Sequence, residues 1–192
     1  MEVIMIHIRK VDIHDVVALS VFFSQLYAES QYLAFDPGEW DGSVQKIKSY
    51  VLRIKSEPAS NIFLAEAEHG CIVGYICGEV HSLKRLAHTM KVNVGILKSH
   101  RGKGIGEKLA EHLLSHAKQF NIVRTEATVI KENEPSLRLC RKFGMKVEGI
   151  KRYSILVGHK LYDEYVLSRI LDSPLLPEKS IDQCNEYIEA NC

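Results

Sequence analysis

The sequence predicts a single mixed α/β domain, and three observations predict it. A chain of 192 residues is the size of one ordinary domain and long enough to bury a core without disulfides or a metal. Hydrophobic residues at 46% and charged residues at 26% place it among folded globular chains rather than disordered ones. The period of the apolar residues then switches between helical spacing and strand alternation, in the order β-α-α-β-β-β-α-β-α-β-β.

Each element has its own signal. Ile4, Ile6 and Ile8 alternate as in a strand, and Asp12 stands where a helix N-cap would, with Asp15 in the first turn. Helical spacing of Ile13, Val16, Val17, Leu19, Phe23, Leu26 and Tyr27 carries that helix to about Glu29. Pro37, Gly38 and Gly42 make residues 30–42 a loop. Val44, Ile47, Val51 and Ile54 mark a second helix that stops before Pro58. Residues 61–68 and 71–80 are β-rich runs meeting at His69-Gly70, a hairpin signal. Val92, Val94 and Ile96 alternate in a strand over 90–97.

Ile105, Leu109, Leu113, Ala117 and Phe120 share one face of a long helix, with Ala110 and Leu114 beside it. A short strand over 123–130 leads to a helix over 133–143, with Pro135 in its first turn and Gly144 just past its end. Two strands, 146–157 and 160–170, meet at Gly158-His159. The chain contains no internal repeat and no low-complexity tract, so residues 1–171 form one domain. Residues 172–192 form a tail in which Pro174 and Pro177 break structure. There Ser180-Ile-Asp-Gln183 matches a capping box for a short docked helix.

Composition excludes several functions. Lys+Arg 25 against Asp+Glu 24 leaves a net charge of +1, which removes the global electrostatic argument for nucleic acid or an anionic membrane. Cys71, Cys77, Cys140, Cys184 and Cys192 are odd in number, form no C-x-x-C pair and lack the density of a disulfide scaffold, so no complete disulfide framework is expected. The start is interrupted by His7, Arg9 and Lys10 and is no signal peptide, and no apolar stretch approaches the ~18 residues of a membrane span. A reduced, cytoplasmic location is expected.

The densest chemical signal is Lys98-Ser-His-Arg-Gly-Lys-Gly-Ile-Gly-Glu-Lys108, between a strand and a helix. Gly102, Gly104 and Gly106 let the backbone turn tightly and approach a ligand. Successive N–H groups at a helix N-terminus make an anion cradle. Lys98, Arg101, Lys103 and Lys108 face only Glu107 in this stretch, so a phosphate group belongs here. The dinucleotide fingerprint fails because Glu107 occupies its last glycine position. The Walker A pattern fails because position 97 is not glycine and Gly104 follows Lys103.

Arg101-Gly-Lys-Gly104-Ile-Gly106 resembles the Q/R-x-x-G-x-G/A signature of the GNAT (Gcn5-related) N-acetyltransferase superfamily. Asn133-Glu-Pro-Ser-Leu-Arg-Leu-Cys-Arg-Lys-Phe-Gly-Met145 is similar to its second acyl-CoA motif, and the element order matches over about nine-tenths of the chain. The resemblance implies a strongly twisted central sheet of about seven strands flanked by about four helices. It also implies acetyl-CoA as co-substrate, held in an opening between two splayed parallel strands, with no metal. Backbone groups of Ile96, Leu97 and Lys98 would bond the pantetheine arm, and the N–H groups of Arg101, Gly102, Lys103, Gly104, Ile105 and Gly106 would hold the pyrophosphate. A bulge near Leu97 would turn one N–H toward the thioester oxygen. Asn133 has two compatible roles, helix N-cap and contact with the CoA arm.

The resemblance also implies direct attack by a neutral amine, helped by a base and an acid. The family's usual acid, a tyrosine, is replaced here by Cys140, which makes that thiol the candidate acid. The usual carboxylate position is taken by Thr128. Glu126, two residues earlier on the same strand face, becomes the candidate base, with Glu79 and His88 as further candidates. The loop between the first two helices commonly builds the acceptor pocket, which nominates Asp36, Glu39 and Trp40, with Asp163 and Glu164 near the same place. His112 and His116 have metal-ligand spacing but neither a third ligand nor an H-E-x-x-H context, so no metal site is expected. The expected activity is acetyl transfer to a primary amine of a small molecule or a protein N-terminus, in a chain that resembles homodimer formers. The alternative is an acyl-CoA-binding sensor with little catalysis, favoured by Cys140 and by the lack of an obvious base.

Overall fold

A computed structural model describes residues 5–30, 32 and 42–173. The elements follow the predicted order: β1 (His7–Lys10), α1 (Val16–Glu29), α2 (Val44–Lys55), β2 (Asn61–Glu66), β3 (Ile72–Val80), β4 (Thr89–Ile96), α3 (Ile105–Gln119), β5 (Arg124–Ile130), α4 (Glu134–Lys142), β6 (Lys146–Val157) and β7 (Lys160–Ile170). The tail from residue 174 and the acceptor-loop candidates Asp36, Glu39 and Trp40 lie outside the described residues.

Local chemistry sets the element ends. Asp12 accepts the His14 N–H at 3.0 Å, while its own N–H donates to the Asp15 carboxylate at 2.7 Å. This reciprocal cap tightens the first turn into a 3-10 segment, Ile13–Asp15, before α1 begins. Ser43 caps α2 by accepting the Lys46 N–H at 3.3 Å. The β2–β3 hairpin turns through His69 and Gly70, whose φ angles of 59° and 76° match the twist of the paired strands. Asn133 caps α4 by accepting the Ser136 N–H at 3.3 Å, and Gly144 leaves that helix at φ 68°.

The sheet order is β1-β2-β3-β4-β5-β7-β6, antiparallel at every pair except the parallel β4–β5. Helices α1 and α2 cover one face through Leu19, Phe22, Leu26, Ile47, Val51 and Ile54. Helix α3 covers the other through Ile105, Leu109, Leu113 and Ala117, and α4 packs Leu137 and Cys140 on Val129 and Leu167. Strand alternation divides β3 from Gly74 onward, with Tyr75 and Cys77 toward α1 and α2 and Ile76 and Val80 toward α3. A register shift against β2 at the start of the strand puts Ile72 on the first face and Val73 on the second.

Two details depart from the sequence reading. Phe120 is not on the buried face of α3; it follows the last helical residue and is 40% exposed. His116 takes the inward position instead, 3% exposed, with Nε2 3.1 Å from the Ala59 carbonyl oxygen. His112 lies 2.8 Å from the Lys108 carbonyl oxygen, so both rings serve backbone acceptors. Among the described residues no group of three or more metal-ligating side chains occurs. Among them, too, no helix is long and apolar enough to cross a membrane.

Candidate functional site

The site begins as a defect in the sheet. Strand β4 pairs with β5 only at Thr89/Arg124, Met90/Thr125 and Lys91/Glu126. Beyond that point β4 stays zipped to β3 as far as Ile96, and β5 stays zipped to β7 as far as Ile130. Each strand follows its outer neighbour, and the two splay apart. The split arises from this divergence and not from a bulge, because the β3–β4 register is unbroken from Gly74/Ile96 to Val80/Met90.

Backbone alternation decides which groups face the split. The Leu97 N–H donates to the Val73 oxygen at 3.0 Å, on the β3 side. Strand geometry then turns the N–H and C=O of Val94 and the N–H of Ile96 to the β5 side, where no strand is paired. The Ile96 carbonyl accepts the Arg101 Nε–H at 2.9 Å, and the Lys98 N–H donates to the Glu29 carboxylate at 2.7 Å. The expected donors at Leu97 and Lys98 are therefore committed within the protein, and Val94 and Ile96 carry the unpaired groups.

At the wide end of the split the chain makes a 3-10 turn, Lys98–His100, and then the glycine loop. Gly102 and Gly104 both hold φ at +75°, with open space where a Cβ would project. Among the described residues the N–H groups of 102–107 donate to no protein acceptor. They form a row of donors at the positive end of the 15-residue α3. The Arg101 side chain itself points back to Ile96 and braces the loop.

A cavity of about 570 Å3 threads the split. On the α3 and α4 side it is lined by Ala110, Leu113, Leu114, Asn133, Leu139 and Cys140. On the α1 and α2 side it widens into a chamber with Phe23, Tyr27, Tyr50 and Tyr75, closed across the sheet by Thr128, Ile155 and Glu164. Burial holds the Tyr50 and Tyr75 phenols well above the ordinary tyrosine range, so both rings present neutral hydroxyls.

The catalytic candidates do not come together. Cys140 is on the cavity wall but 7% exposed, packed with Leu137, Val129 and Leu167, and burial pushes its thiol up to about 11. Glu126 sits opposite Lys91 at the closed end of the split, 3.3 Å from Arg124, and does not line the cavity. Glu79 is held by Arg53. His88 precedes β4 at the same closed end, its carbonyl accepting the Val123 N–H. Asp163 is engaged with the Tyr153 N–H at 3.0 Å and with Lys131 at 3.6 Å, which leaves Glu164 as the candidate carboxylate on the wall. Asn133 both caps α4 and lines the cavity.

Sequence reading missed Tyr27, Tyr50, Tyr75 and Lys91. Phe23 and Tyr27, like Lys46 and Tyr50, are four apart on a helix, and all four line the chamber; that spacing was the available signal.

The family described as "Acetyltransferase (GNAT) family" matches residues 23–145 of this chain. The Bacillus subtilis protein named uncharacterized N-acetyltransferase YnaD is 28% identical over 119 residues, 62% of this chain and 68% of that one. The L-amino acid N-acetyltransferase AaaT of Escherichia coli is 23% identical over 103 residues, 53% of this chain and 63% of that one, so the match spans less than two thirds of it. The structure of yncA from Salmonella typhimurium, solved with its cofactor acetyl-CoA, superimposes with a TM-score of 0.78 at 19% identity, covering 91% of this chain and 98% of that one.

Proposed function

The chain belongs to the acetyltransferase (GNAT) family, and from that premise we propose that it acetylates the primary amine of a small molecule inside the chamber between α1, α2 and the split sheet. The observation that carries this reading is the cavity itself, which passes through the split from Leu139 and Cys140 beside α3 and α4 to an aromatic chamber on the opposite sheet face, while the row of unpaired N–H groups at 102–107 stands at the head of the same α3. Acetyl-CoA supplies an acyl carbon activated by a thiol leaving group. The N–H groups of Gly102 to Glu107 hold its diphosphate at the α3 N-terminus. Val94 and Ile96 offer backbone groups to the amide-bearing arm, as an added strand would. Asn133 keeps its cap and borders the arm.

Glu164, rather than Glu126, receives the proton of the incoming ammonium, because it is the candidate carboxylate on the cavity wall. Cys140 packs the wall and does not act as the acid. With the thiol pushed up to about 11, against ~8.5 for an ordinary thiol, proton donation to a leaving thiolate runs uphill.

The test compares thermal shifts with acetyl-CoA, CoA, ATP and NAD, followed by CoA-thiol release with a panel of primary amines. A ligand at ~100 times its dissociation constant adds about 2.7 kcal/mol of stability. For a chain of this size that raises Tm by roughly 5–10 °C. The expected result is a response to the two CoA species alone, lost in Gly104→Val, where a branched side chain is forced to a left-handed φ and fills the cradle. An equal response to ATP, or an unaltered response in the variant, would overturn the loop assignment. CoA binding without thiol release from any amine would favour a binding module over an enzyme.

A further inference from the structure

The chamber carries a charge that the transfer reaction does not use. Lys91 lies in the last parallel pair of the sheet, at the apex where β4 and β5 separate, and its side chain lines the cavity. Its cross-strand neighbours are both acids, Glu79 on β3 and Glu126 on β5. Each of those carboxylates is already held by an arginine. Arg53 grips Glu79 with two hydrogen bonds, one of them at 3.3 Å, and Arg124 lies 3.3 Å from Glu126 while also binding Glu148. Among the described residues the Lys91 ammonium makes no hydrogen bond or ion pair. Asn93 also lines the cavity, two residues and ~6.6 Å further along the same strand face. Around it the wall is mainly aromatic, with Tyr27, Tyr50 and Tyr75, and it also carries Lys46 on α2 and Glu164 on β7.

An acceptor placed here meets the Lys91 cation at the apex, the Glu164 carboxylate across the split, and mostly rings around its remainder, with Lys46 as a second cation. A polyamine or a lysine side chain would bring like charge to Lys91. A molecule with a carboxylate one carbon from its amine would set the carboxylate on Lys91, the amine toward the split, and its side chain on the tyrosines. We infer that the acceptor is an α-amino acid and that Lys91 selects it by its carboxylate; this rests on the N-acetyltransferase reading above.

The experiment measures CoA release at saturating acetyl-CoA with the free L-amino acids and with the corresponding L-amino acid amides, which keep the amine and the side chain but lose the charge. The expected result is at least a tenfold higher kcat/KM for the best acids than for their amides, equivalent to about 1.4 kcal/mol. Lys91→Met should erase that preference through KM for the acid, with the amides changed less than twofold, and Lys91→Arg should restore most of it. Wild-type enzyme that acetylates amides as well as acids would overturn the inference while leaving the acetyltransferase reading intact. An equal loss on acids and amides in Lys91→Met would overturn it too, as a structural effect. Absence of transfer to any acid or amide would overturn the inference, and only absence of transfer across the wider panel of primary amines would sink the acetyltransferase reading as well.

Discussion

Cys140 shows how one position is read differently in isolation and in place. A thiol in a family's tyrosine position invites an acid–base role. In the folded chain it is a small apolar wall residue beside Leu137 and Val129, with its proton held more firmly than in a free thiol. Cys140→Ala should therefore keep kcat within about fivefold, measured by CoA release at saturating acetyl-CoA. A loss of ~100-fold or more, the usual cost of deleting a general acid, would return the thiol to the mechanism. The cap formed by Asn133 was legible in the sequence, because an N-cap signature depends on local spacing alone, whereas its place on the cavity wall was suggested only by the family resemblance.

At the scale of elements, the chamber depends on how closely α1 approaches the sheet. Gly95 makes that approach possible: a Cβ there would stand 2.5 Å from Leu26 Cδ2 and 2.8 Å from Tyr75 Cε1. Gly95→Ala should push α1 outward and cost about 1–3 kcal/mol by overpacking, read from urea unfolding. Because Phe23 and Tyr27 ride on α1, the same variant should raise KM for the acceptor more than it weakens acetyl-CoA binding. Parallel losses would mean that α1 does not shape the chamber by itself. Most strands and helices were predictable to within about two residues because each has its own period and caps; the first strand, expected at Ile4, Ile6 and Ile8, instead runs His7–Lys10, where its register is set by β2. The bulge expected near Leu97 is absent, since pairing along β4 is set by β3, a partner distant in sequence.

At the scale of the molecule, global stability carries a pH signature from His116. Burial first, and the charge of Lys10 second, hold this imidazole below the ordinary histidine range, and its Nδ1 is buried without a hydrogen-bond partner. Above about pH 6.5 the ring is neutral in both folded and unfolded chains. As pH falls below that, the unfolded chain takes up a proton that the folded chain resists, so stability declines. His100, lowered by burial and by Lys103, adds in the same direction. The paired carboxylates Asp15 and Glu148, held low by Arg9 and Arg124, contribute losses only at more acid pH. Tm should therefore drop between pH 7 and pH 5, with a shallower slope in His116→Gln. Identical slopes would assign the effect elsewhere.

By itself the sequence determined the order and type of the elements, the glycine loop at the head of α3, the helix caps and the family. All of these are local in the chain: a period of two or 3.6, glycines where φ must be positive, a capping side chain three residues from its N–H. Only the tertiary structure decided which side chains share the cavity. The split between β4 and β5 exists because each strand is held by a different outer neighbour. The choice of Glu164 over Glu126 follows from which residue faces the cavity and which faces Arg124. Lys91 reads as an ordinary strand lysine until the fold sets it between two acids already held by arginines. These are relations among strands and helices far apart in the chain, and no local pattern encodes them.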